Sequence, residues 1–508
     1  MRPSHFLKVV KIYLAIHLLF LNTRIFAVES QGWQTSVNSF FGMINKYWGA
    51  VLFWDQHPLQ LPLILVVMVA GGVFFTFRFG FVNVALFKHA VDVVRGKYDK
   101  KEDKGEITHF QALTSALSAT VGLGNIAGVA VAISVGGPGA VLWLWIIAFF
   151  GMSMKFSSCT LAQMHRIVHK DGRVLGGPMV YLERAIKEQL PSLAWLGKFF
   201  GTIFAIFTIG ASFGGGNLFQ GNQTFELVAT QFPVLAGYGW LVGLALAFFI
   251  GIVIIGGIKR IGEVTSKMVP LMCMFYCGGC LAIIFGNISM VPAMFTEIFR
   301  QAFNPDAMWA GGFVGVLTQG VRRASFSNEA GLGSAAIAHA AAKTDKPIRE
   351  GVVAMIGPFI DTHLVCTMTS LAILITGAHL DPSLGGKGAA ITAKAFASLG
   401  SLMPMLLTFA AIIFAYSTAV SWSYYGEKGV EYLFGVGGII YYRVAYVVVA
   451  ALGPVLSLGN VIDFSDIMLL SMAFPNIIGM VLLSGKVKGM LQEYLLQYRS
   501  GKMQITEQ

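Results

Sequence analysis

Two short segments place glycine, small hydroxyl residues and an asparagine inside long apolar runs. Residues 115–128 contain Gly122-Leu123-Gly124-Asn125, and residues 323–336 contain Gly331-Leu332-Gly333. Each glycine weakens a helix by about 1 kcal/mol relative to alanine. A helix broken inside a membrane exposes amides, which attract a carboxylate, and carbonyl oxygens, which attract a small cation. The two segments are therefore candidate binding sites for both kinds of ligand.

The fourth apolar run ends in a dense set of amide side chains. Asn217 and Gln220 lie three residues apart, so in a regular helix they share one face. Such amides inside a membrane either bond the polar groups of a ligand or join neighbouring helices. The spacing leaves both interpretations open.

Hydroxyl side chains cluster in the ninth apolar run. Ser417, Thr418 and Ser421 lie within about one helical turn, with Trp422 beside them as a candidate pocket wall. Hydroxyl oxygens suit hard cations such as Na⁺. They also bond carbonyl oxygens of the preceding helical turn, which is the alternative role.

An ionisable pair, Asp361 and His363, lies within the eighth apolar run. Charged side chains are costly at this depth, so the pair predicts a functional role, and a proton relay is one candidate. The other candidates are a water-facing vestibule at the inner end of this run and an ion pair between Asp361 and Arg322 or Arg323.

Other signals argue against an enzyme. Glu329, beside the second Gly-Leu-Gly, is predicted to cap a helix or pair with a cation, and Lys155 to extend its amine toward the membrane surface. The sequence contains no phosphate-binding G-x-x-x-x-G-K-[ST], no H-E-x-x-H and no G-x-S-x-G. We therefore expect neither ATP-driven nor hydrolytic chemistry, and no cofactor.

The composition indicates that a membrane surrounds these residues. Of 508 residues, 56% are hydrophobic and only 12% are charged, outside the usual range of soluble domains. The net charge of +11 resides in short loops and forms no exposed stripe, so it predicts membrane topology rather than nucleic-acid binding. Apolar runs recur with short polar interruptions, which predicts one membrane domain over residues 59–485.

Eleven apolar runs are long enough to cross about 30 Å of hydrocarbon. They cover residues 61–80, 111–135, 138–164, 199–228, 239–258, 264–288, 309–340, 351–378, 400–424, 438–457 and 463–485. Lysines and arginines cluster in alternate loops, which are predicted to face the cytoplasm. The sequence thus predicts an all-α inner-membrane protein with its N-terminus outside and its tail, residues 486–508, inside.

Residues 1–27 have two interpretations. They combine basic residues, an apolar segment and a small residue at Ala27, as in a signal peptide. Arg24 and Ile25, close to the predicted cleavage position, favour an uncleaved extra helix instead. In either case residues 28–58 are predicted to form a segment outside the cytoplasm.

The two glycine-rich segments occupy matching positions. When the first span is set aside, they fall in the first members of two five-span repeats, residues 109–288 and 309–485. Because five is odd, the second repeat must cross the membrane in the opposite sense. Paired broken helices in inverted repeats are typical of secondary transporters with a binding site at mid-membrane. Close helix packing is the alternative role of such glycines.

Four motifs stand out in and around these segments. They are Phe326-Ser-Asn-Glu-Ala-Gly-Leu-Gly-Ser334, Ala338-His-Ala-Ala-Ala-Lys-Thr-Asp-Lys-Pro347, Gly124-Asn-Ile-Ala-Gly128 and Ser421-Trp-Ser-Tyr-Tyr-Gly-Glu427. Together they resemble the alanine or glycine:cation symporter family, from about residue 48 to residue 485. The resemblance implies a LeuT-like fold of five-plus-five inverted repeats with one extra N-terminal helix. It also implies symport of alanine or glycine with Na⁺, or with H⁺ in some members.

The resemblance assigns roles to individual residues. The substrate carboxylate is expected to meet the amides of Leu123 and Gly124. The implied pocket consists of Thr120, Gly122, Leu123, Gly124, Asn125, Asn217, Gln220, Phe326 and Trp422. The implied Na⁺ ligands are Ser118, Val121, Ser417, Thr418 and Ser421. The expected partners are therefore alanine or glycine, Na⁺ and the lipid bilayer.

Other functions stay open at this point. The same fold could carry another small solute with H⁺, using Asp361 and His363 as the relay. A membrane-embedded enzyme would use the same pair catalytically. A channel is disfavoured, because the broken helices form one central site without repeated rings of charges or carbonyl oxygens.

Overall fold

The computed structural model describes residues 26–55, 61–100, 102–303, 312–384, 387–456, 458–501 and 503. This part of the chain is nearly all helical. Two strands, β1 (Ile167–Val168) and β2 (Val174–Leu175), form a short antiparallel hairpin with Ile167 opposite Leu175. The segment predicted as a signal peptide or extra helix lies, up to residue 25, outside the described residues.

The helices of the N-terminal half include the first predicted repeat, from α5 to α12. They are α1 (Phe26–Leu52), α2 (Leu63–Arg78), α3 (Val82–Ala85), α4 (Phe87–Val94), α5 (His109–Thr120), α6 (Val129–Gly136), α7 (Ala140–His165), α8 (Pro178–Gln189), α9 (Ala194–Phe213), α10 (Phe219–Gln231), α11 (Gly239–Ile254) and α12 (Gly257–Gly286).

The helices of the C-terminal half include the second predicted repeat, from α14 to α22. They are α13 (Val291–Ala302), α14 (Gly312–Asn328), α15 (Ala335–His339), α16 (Pro347–Pro358), α17 (Thr367–Thr376), α18 (Gly388–Ala397), α19 (Met403–Phe434), α20 (Ile439–Leu452), α21 (Leu458–Ser471) and α22 (Ala473–Arg499).

Length and hydropathy identify the helices that can cross a membrane. Within the described ranges, seven helical segments meet both conditions, and the bent pair of α5 and α6 would make an eighth. Helices α2 and α11 are apolar but shorter. Within the described residues each predicted span overlaps helical structure, whereas the count of eleven crossings stays a prediction.

The first glycine-rich segment interrupts its helix, as the sequence predicts. Helix α5 begins at a capping box, in which the Gln111 amide donates to the Thr108 hydroxyl at 3.2 Å. It ends at Thr120, and a π-helical turn, Gly124–Gly128, leads into α6. The axes on the two sides of the break differ by 50°.

The second glycine-rich segment forms a tight turn between α14 and α15. Glu329, Gly331 and Gly333 have φ angles of 54°, 85° and 90°. Glycine adopts this left-handed backbone readily, whereas a residue with a side chain seldom does. The Asn476 side chain of α22 donates to the Gly331 carbonyl oxygen at 2.8 Å. Tertiary contact therefore satisfies a backbone group that the break sets free.

Two further π-helical turns interrupt spans that the sequence predicts to be regular. One, Gly214–Leu218, joins α9 to α10, and the other, Phe359–Cys366, joins α16 to α17. A π turn holds an extra residue, so it rotates the residues that follow relative to those that precede. The second of these turns packs against Gly124–Gly128.

Helix α1 packs against α21. The Trp48 indole N–H donates to the Ser471 hydroxyl at 2.8 Å, and the rings of Phe41 and Phe464 contact edge to face with centroids 4.7 Å apart. The sequence analysis assigns no helix to residues 28–58, because this stretch mixes polar and aromatic residues without a long apolar run.

Candidate functional site

One cavity lies where the two glycine breaks face the middle of α19. Its lining residues are Ala119, Thr120, Gly122, Gly124, Gly215, Gln220, Phe326, Glu329, Trp422 and Leu469. Six of the predicted substrate residues are among them: Thr120, Gly122, Gly124, Gln220, Phe326 and Trp422. The structure brings these six together around one space, while their role in binding stays a prediction.

The first break presents backbone amides at this cavity. The helix restarts at Gly124, where the first amides of a helix lack partners in a preceding turn, although the Asn125 amide donates to the Gly122 carbonyl oxygen at 3.2 Å. The Asn125 side chain closes the break, since its Oδ1 accepts a hydrogen bond from the Gly122 amide at 3.0 Å. Leu123, also predicted to offer its amide, is a buried residue of the same break. Amides in this setting attract anions such as a carboxylate.

Trp422 and Phe326 form aromatic walls. The Trp422 indole N–H donates to the Ala119 carbonyl oxygen at 3.3 Å, which joins α19 to the end of α5. Phe326 packs edge to face against Phe219 with centroids 4.8 Å apart. A Cβ added to Gly124 would lie 3.2 Å from the Phe326 ring. The walls therefore close tightly on the break and favour a small ligand.

Two of the predicted ion ligands, Ser118 and Thr418, meet where α5 contacts α19, whereas the Ser417 hydroxyl donates to the Phe414 carbonyl oxygen of the preceding turn at 3.0 Å. The Thr418 hydroxyl donates to the Ser118 carbonyl oxygen at 2.9 Å, and the Ser118 hydroxyl donates to the Ser417 carbonyl oxygen at 2.8 Å. Val121 follows the end of α5 in an extended conformation. The buried Ser421 hydroxyl has no hydrogen-bond partner in the described part of the chain. Oxygen atoms of the kind that hard cations prefer thus converge here.

Asn217 and Gln220 face different neighbours, unlike the prediction that they share one face. The Gln220 Nε2 donates to the Gly215 carbonyl oxygen at 2.9 Å, and its side chain lines the cavity. The Asn217 Nδ2 donates instead to the Tyr446 carbonyl oxygen on α20 at 2.8 Å. The extra residue of the π turn separates two positions that a regular helix would align. Asn217 is therefore a link between helices.

The sequence analysis missed a polar network behind the first break. The Asn125 Nδ2 donates to Asp361 Oδ1 at 2.7 Å and to the Ser327 hydroxyl at 3.1 Å. The hydroxyls of Ser327 and Thr362 donate to Asp361 Oδ2 at 2.5 and 2.9 Å. The network joins both glycine-rich segments to the π turn of the eighth span. Asp361 is noticeable in the sequence as a mid-membrane carboxylate, but no spacing rule identifies its partners.

Asp361 and His363 do not form the relay that the sequence suggests. The buried Asp361 carboxylate faces Asn125, whereas the half-buried His363 ring stacks on Phe359 with centroids 5.8 Å apart. Both residues lie within the π turn, and two positions so close in sequence point in different directions around a helix. A proton path between these two side chains is therefore not supported.

Lys155 and Glu329 lie in the interior of the helix bundle. The Lys155 Nζ donates to the Asn328 carbonyl oxygen at 3.1 Å, so the prediction that Lys155 reaches the membrane surface is wrong. Its helix, α7, packs closely against α16, which turns the side chain inward. The Glu329 carboxylate accepts a hydrogen bond from the Ser334 hydroxyl.

Comparison with known sequences decides the class of protein. Residues 45–508 match the sodium:alanine symporter family. The chain belongs to this family. It is 44% identical over 431 residues to a sodium/alanine symporter, AgcS, of Methanococcus maripaludis, covering 84% of this chain and 92% of that protein. It is 34% identical over 454 residues to GlnT of Bacillus subtilis, a probable sodium/glutamine symporter, covering 89% and 90%.

A solved structure shares the fold of this symporter. MhsT, in complex with L-phenylalanine, aligns with a TM-score of 0.53 and 14% identity, covering 75% of this chain and 99% of that chain. At that identity the likeness shows the LeuT-like fold alone. The predicted fold class and family are thereby confirmed. The protein is a multi-pass membrane symporter that couples an amino acid to a cation, and its relatives are transporters rather than enzymes.

In the symporter, an ion-pair cluster ties α14 to α21 beside the cavity. Asp466 pairs with both Arg322, at 2.9 Å, and Arg323. The Arg323 guanidinium also lies over the Phe326 ring, 5.6 Å from its centroid. The prediction that these arginines pair with Asp361 is wrong, because that carboxylate is turned toward the first break. We call Arg322, Arg323 and Asp466 the Asp466 cluster.

A set of hydrogen bonds joins the segment before α5 to the segment after α15. The Arg166 guanidinium donates to four carbonyl oxygens at 2.6 to 3.0 Å, those of Lys104, Ala340, Ala342 and Thr344. The Glu106 amide donates to the Ala341 carbonyl oxygen at 2.8 Å, and the Lys343 amide donates to the Ile107 carbonyl oxygen at 2.8 Å. We call Arg166 with its four carbonyl partners the Arg166 clamp.

Proposed function

We propose that this symporter carries a small neutral amino acid, alanine or glycine, into the cell together with Na⁺. The observation that carries the proposal is that three kinds of group lie around the first glycine break. These are helix-start amides, the oxygen atoms of the α5 and α19 contact, and two aromatic walls. A carboxylate and a small cation are the ligands that the first two kinds favour. The relative at 44% identity is named a sodium/alanine symporter, which supports the same substrate pair.

The size of the cavity favours alanine or glycine over larger amino acids. Phe326, Trp422 and Leu469 leave little space beside the first break, and a Cβ on Gly215 would lie 2.7 Å from the Leu469 side chain. Any amino acid would require these walls to move apart, and a larger one would require a larger movement. Because a relative at 34% identity is named a probable sodium/glutamine symporter, glutamine is the comparison substrate for a test.

We assign the Na⁺ to the contact between α5 and α19. Its proposed ligands are the carbonyl oxygens of Ser118 and Val121 and the hydroxyl oxygens of Ser417, Thr418 and Ser421. The Ser421 hydroxyl, unpaired within the described residues, and the extended backbone at Val121 support this set. A cation bound there would hold the first break in place and thereby position the amides for the substrate carboxylate. Such coupling is reciprocal, so each ligand raises the affinity for the other.

Transport would proceed by alternating access. The Asp466 cluster lies beside the cavity, and the Arg166 clamp joins the start of α5 to the end of α15, so each would open in turn. The distribution of lysine and arginine in alternate loops supports a bacterial inner-membrane protein with its N-terminus outside and its tail inside. In that orientation the Asp466 cluster faces outward and the Arg166 clamp faces the cytoplasm.

Uptake into proteoliposomes tests the proposal. Radiolabelled alanine should accumulate above its equilibrium level under an inward Na⁺ gradient and should not do so when K⁺ replaces Na⁺. Excess unlabelled glycine should compete, and excess glutamine should compete weakly. A control with liposomes that lack the protein measures leakage.

Three outcomes would reassign parts of the proposal. Accumulation under a pH gradient without Na⁺ would make H⁺ the coupling ion. Competition by glutamine but not by glycine would change the substrate. If labelled alanine only reached its equilibrium level, coupled transport would be excluded.

A further inference from the structure

Glu329 is a buried carboxylate that faces the cavity and has no part in the site as described so far. It lines the cavity beside Phe326 and Trp422, and only 2% of its surface is exposed. The Ser334 hydroxyl donates to one of its oxygens, Oε2. Within the described ranges, no basic side chain lies within 4 Å of the carboxylate. Because burying a carboxylate without a counter-charge is costly, this position favours a bound cation.

The backbone at Glu329 supports a role for its side chain. Its φ angle of 54° is unfavourable for any residue with a Cβ, and Gly331 and Gly333 adopt positive φ in the same turn without that penalty. Glycine at position 329 would relieve the strain. Strained positions of this kind cluster at ligand sites, where the surrounding structure holds them.

Lys155 is the buried cation of this region, but its amine bonds elsewhere. The Lys155 Nζ donates to the Asn328 carbonyl oxygen. A second buried carboxylate, Asp361, is bonded to Asn125 and to hydroxyl groups. When ionised, Lys155, Glu329 and Asp361 sum to one net negative charge. A positively charged group in the cavity, beside Glu329, would have favourable electrostatic energy.

An unpaired acceptor, the side-chain oxygen of Gln220, faces the same space. Gln220 Oε1 is buried and has no hydrogen-bond partner in the described chain, while the Nε2 of the same side chain is bonded. A Cβ added to Gly122 would lie 3.6 Å from this oxygen, so Oε1 faces the first break. An unpaired amide oxygen beside a buried carboxylate, which can accept several hydrogen bonds, fits a ligand group that carries several N–H donors.

We propose that Glu329 binds the α-ammonium group of the transported amino acid, with Gln220 Oε1 as a second acceptor. This inference rests on the proposed function, in which the substrate carboxylate meets the amides of Leu123 and Gly124. The cavity would then recognise both charged ends of a zwitterion. It would select α-amino acids over acids of similar shape that lack the ammonium group, such as lactate.

The test compares equilibrium binding of L-alanine and L-lactate to the purified full-length protein in saturating Na⁺. In the wild type, alanine should bind far more tightly than lactate, which has a hydroxyl in place of the ammonium. In Glu329→Gln, the affinity for alanine should fall at least about 30-fold, because a buried charge pair is lost. The affinity for lactate should change by less than about threefold, because lactate makes no ion pair with Glu329.

Glu297→Gln is the matched control. Glu297 lies on the peripheral helix α13 and pairs with Arg300 at 2.9 Å, so this variant should bind both ligands as the wild type does. An unchanged preference for alanine over lactate in Glu329→Gln would overturn the proposal. The same unchanged preference is expected if Glu329 carries a proton instead of contacting an ammonium group.

Two further variants keep the test decisive if Glu329→Gln does not fold. Glu329→Asp retains the charge on a shorter side chain, so it should keep the preference for alanine at a lower affinity. Gln220→Leu removes the second acceptor and should reduce the preference by about tenfold. Loss of the preference in Glu329→Asp together with an unchanged preference in Gln220→Leu would overturn the proposal.

Failure of the proposed function can be distinguished from failure of the Glu329 assignment. If the wild type binds neither alanine nor glycine, the same comparison is made with the amino acid that it does bind, glutamine included. All α-amino acids share the ammonium group, so the assignment of Glu329 is tested in either case. Binding of no α-amino acid by the wild type would overturn both proposals.

Discussion

Gly122 is the residue at which the two proposed ligand sites approach each other. A Cβ at this position would lie 2.5 Å from the Thr418 hydroxyl oxygen, closer than real side-chain carbons approach. The amide of the same residue donates to Asn125 and so helps to hold the first break. The missing side chain therefore lets α19 come close enough to α5 for hydroxyl and carbonyl oxygens to share one ion.

We expect Gly122→Ala to raise the Na⁺ concentration for half-maximal alanine uptake by about tenfold or more, since the added methyl must displace Thr418. Gly128→Ala is the matched control in the same broken segment, because its Cβ would meet only the Arg323 side chain at an ordinary 3.8 Å. Na⁺ titrations of uptake in proteoliposomes compare the two variants. Equal Na⁺ dependence in both would place the ion elsewhere.

Much of the candidate site could be predicted from residue type, because glycine, amide and hydroxyl residues are rare at mid-membrane. Gln220 and Trp422 line the cavity. Leu469 could not be predicted, since a leucine in an apolar helix carries no signal. Glu329 was expected to cap or pair, because its contact with the cavity depends on a positive φ angle that the sequence does not reveal.

At the scale of helices, the glycine breaks and the π turns determine the positions of the site residues more than the regular helical segments do. The glycine breaks follow from composition, and the structure contains both. The π turns Gly214–Leu218 and Phe359–Cys366 could not be predicted, because a single extra residue leaves the hydrophobic period almost unchanged. Because of these turns, the side chains of Asn217 and His363 point away from their predicted partners, Gln220 and Asp361. Errors in side-chain direction therefore arise at these turns, whereas the number of membrane crossings stays a prediction.

The Arg166 clamp gives a prediction at the same scale. Arg166→Lys replaces a planar guanidinium, which has several N–H donors, with one ammonium group. The ammonium group cannot reach all four carbonyl oxygens. We expect amide hydrogen exchange of residues 104–108 and 341–344 to become about tenfold faster, because the two loops separate more often. Hydrogen-exchange mass spectrometry measures this change. Arg173→Lys, in the exposed hairpin, is the control, and equal exchange in both variants would contradict a closing role for the clamp.

For the whole molecule, the fold was predictable from motifs that occur in both repeats. The motifs around Gly124 and Gly331 led to the LeuT-like fold that the structural comparison confirms. The packing of α1 on α21 was not predictable, because residues 28–58 lie outside those motifs. Orientation in the membrane stays a prediction, since it rests on the charges of the loops.

The net negative charge of Lys155, Glu329 and Asp361 has an electrical consequence. With Na⁺ and a zwitterion bound, these three groups and their ligands sum to zero, whereas the three groups alone sum to −1 and the Asp466 cluster adds the same charge in both states. One charge crossing the membrane involves about 2.3 kcal/mol per 100 mV. Exchange of labelled for unlabelled alanine, with Na⁺ on both sides, should therefore be insensitive to an imposed voltage, while net uptake should accelerate when the interior is negative. Voltage-sensitive exchange would contradict this charge assignment. The buried carboxylates would thus let the membrane potential act on the return of the empty carrier and reset it for the next cycle.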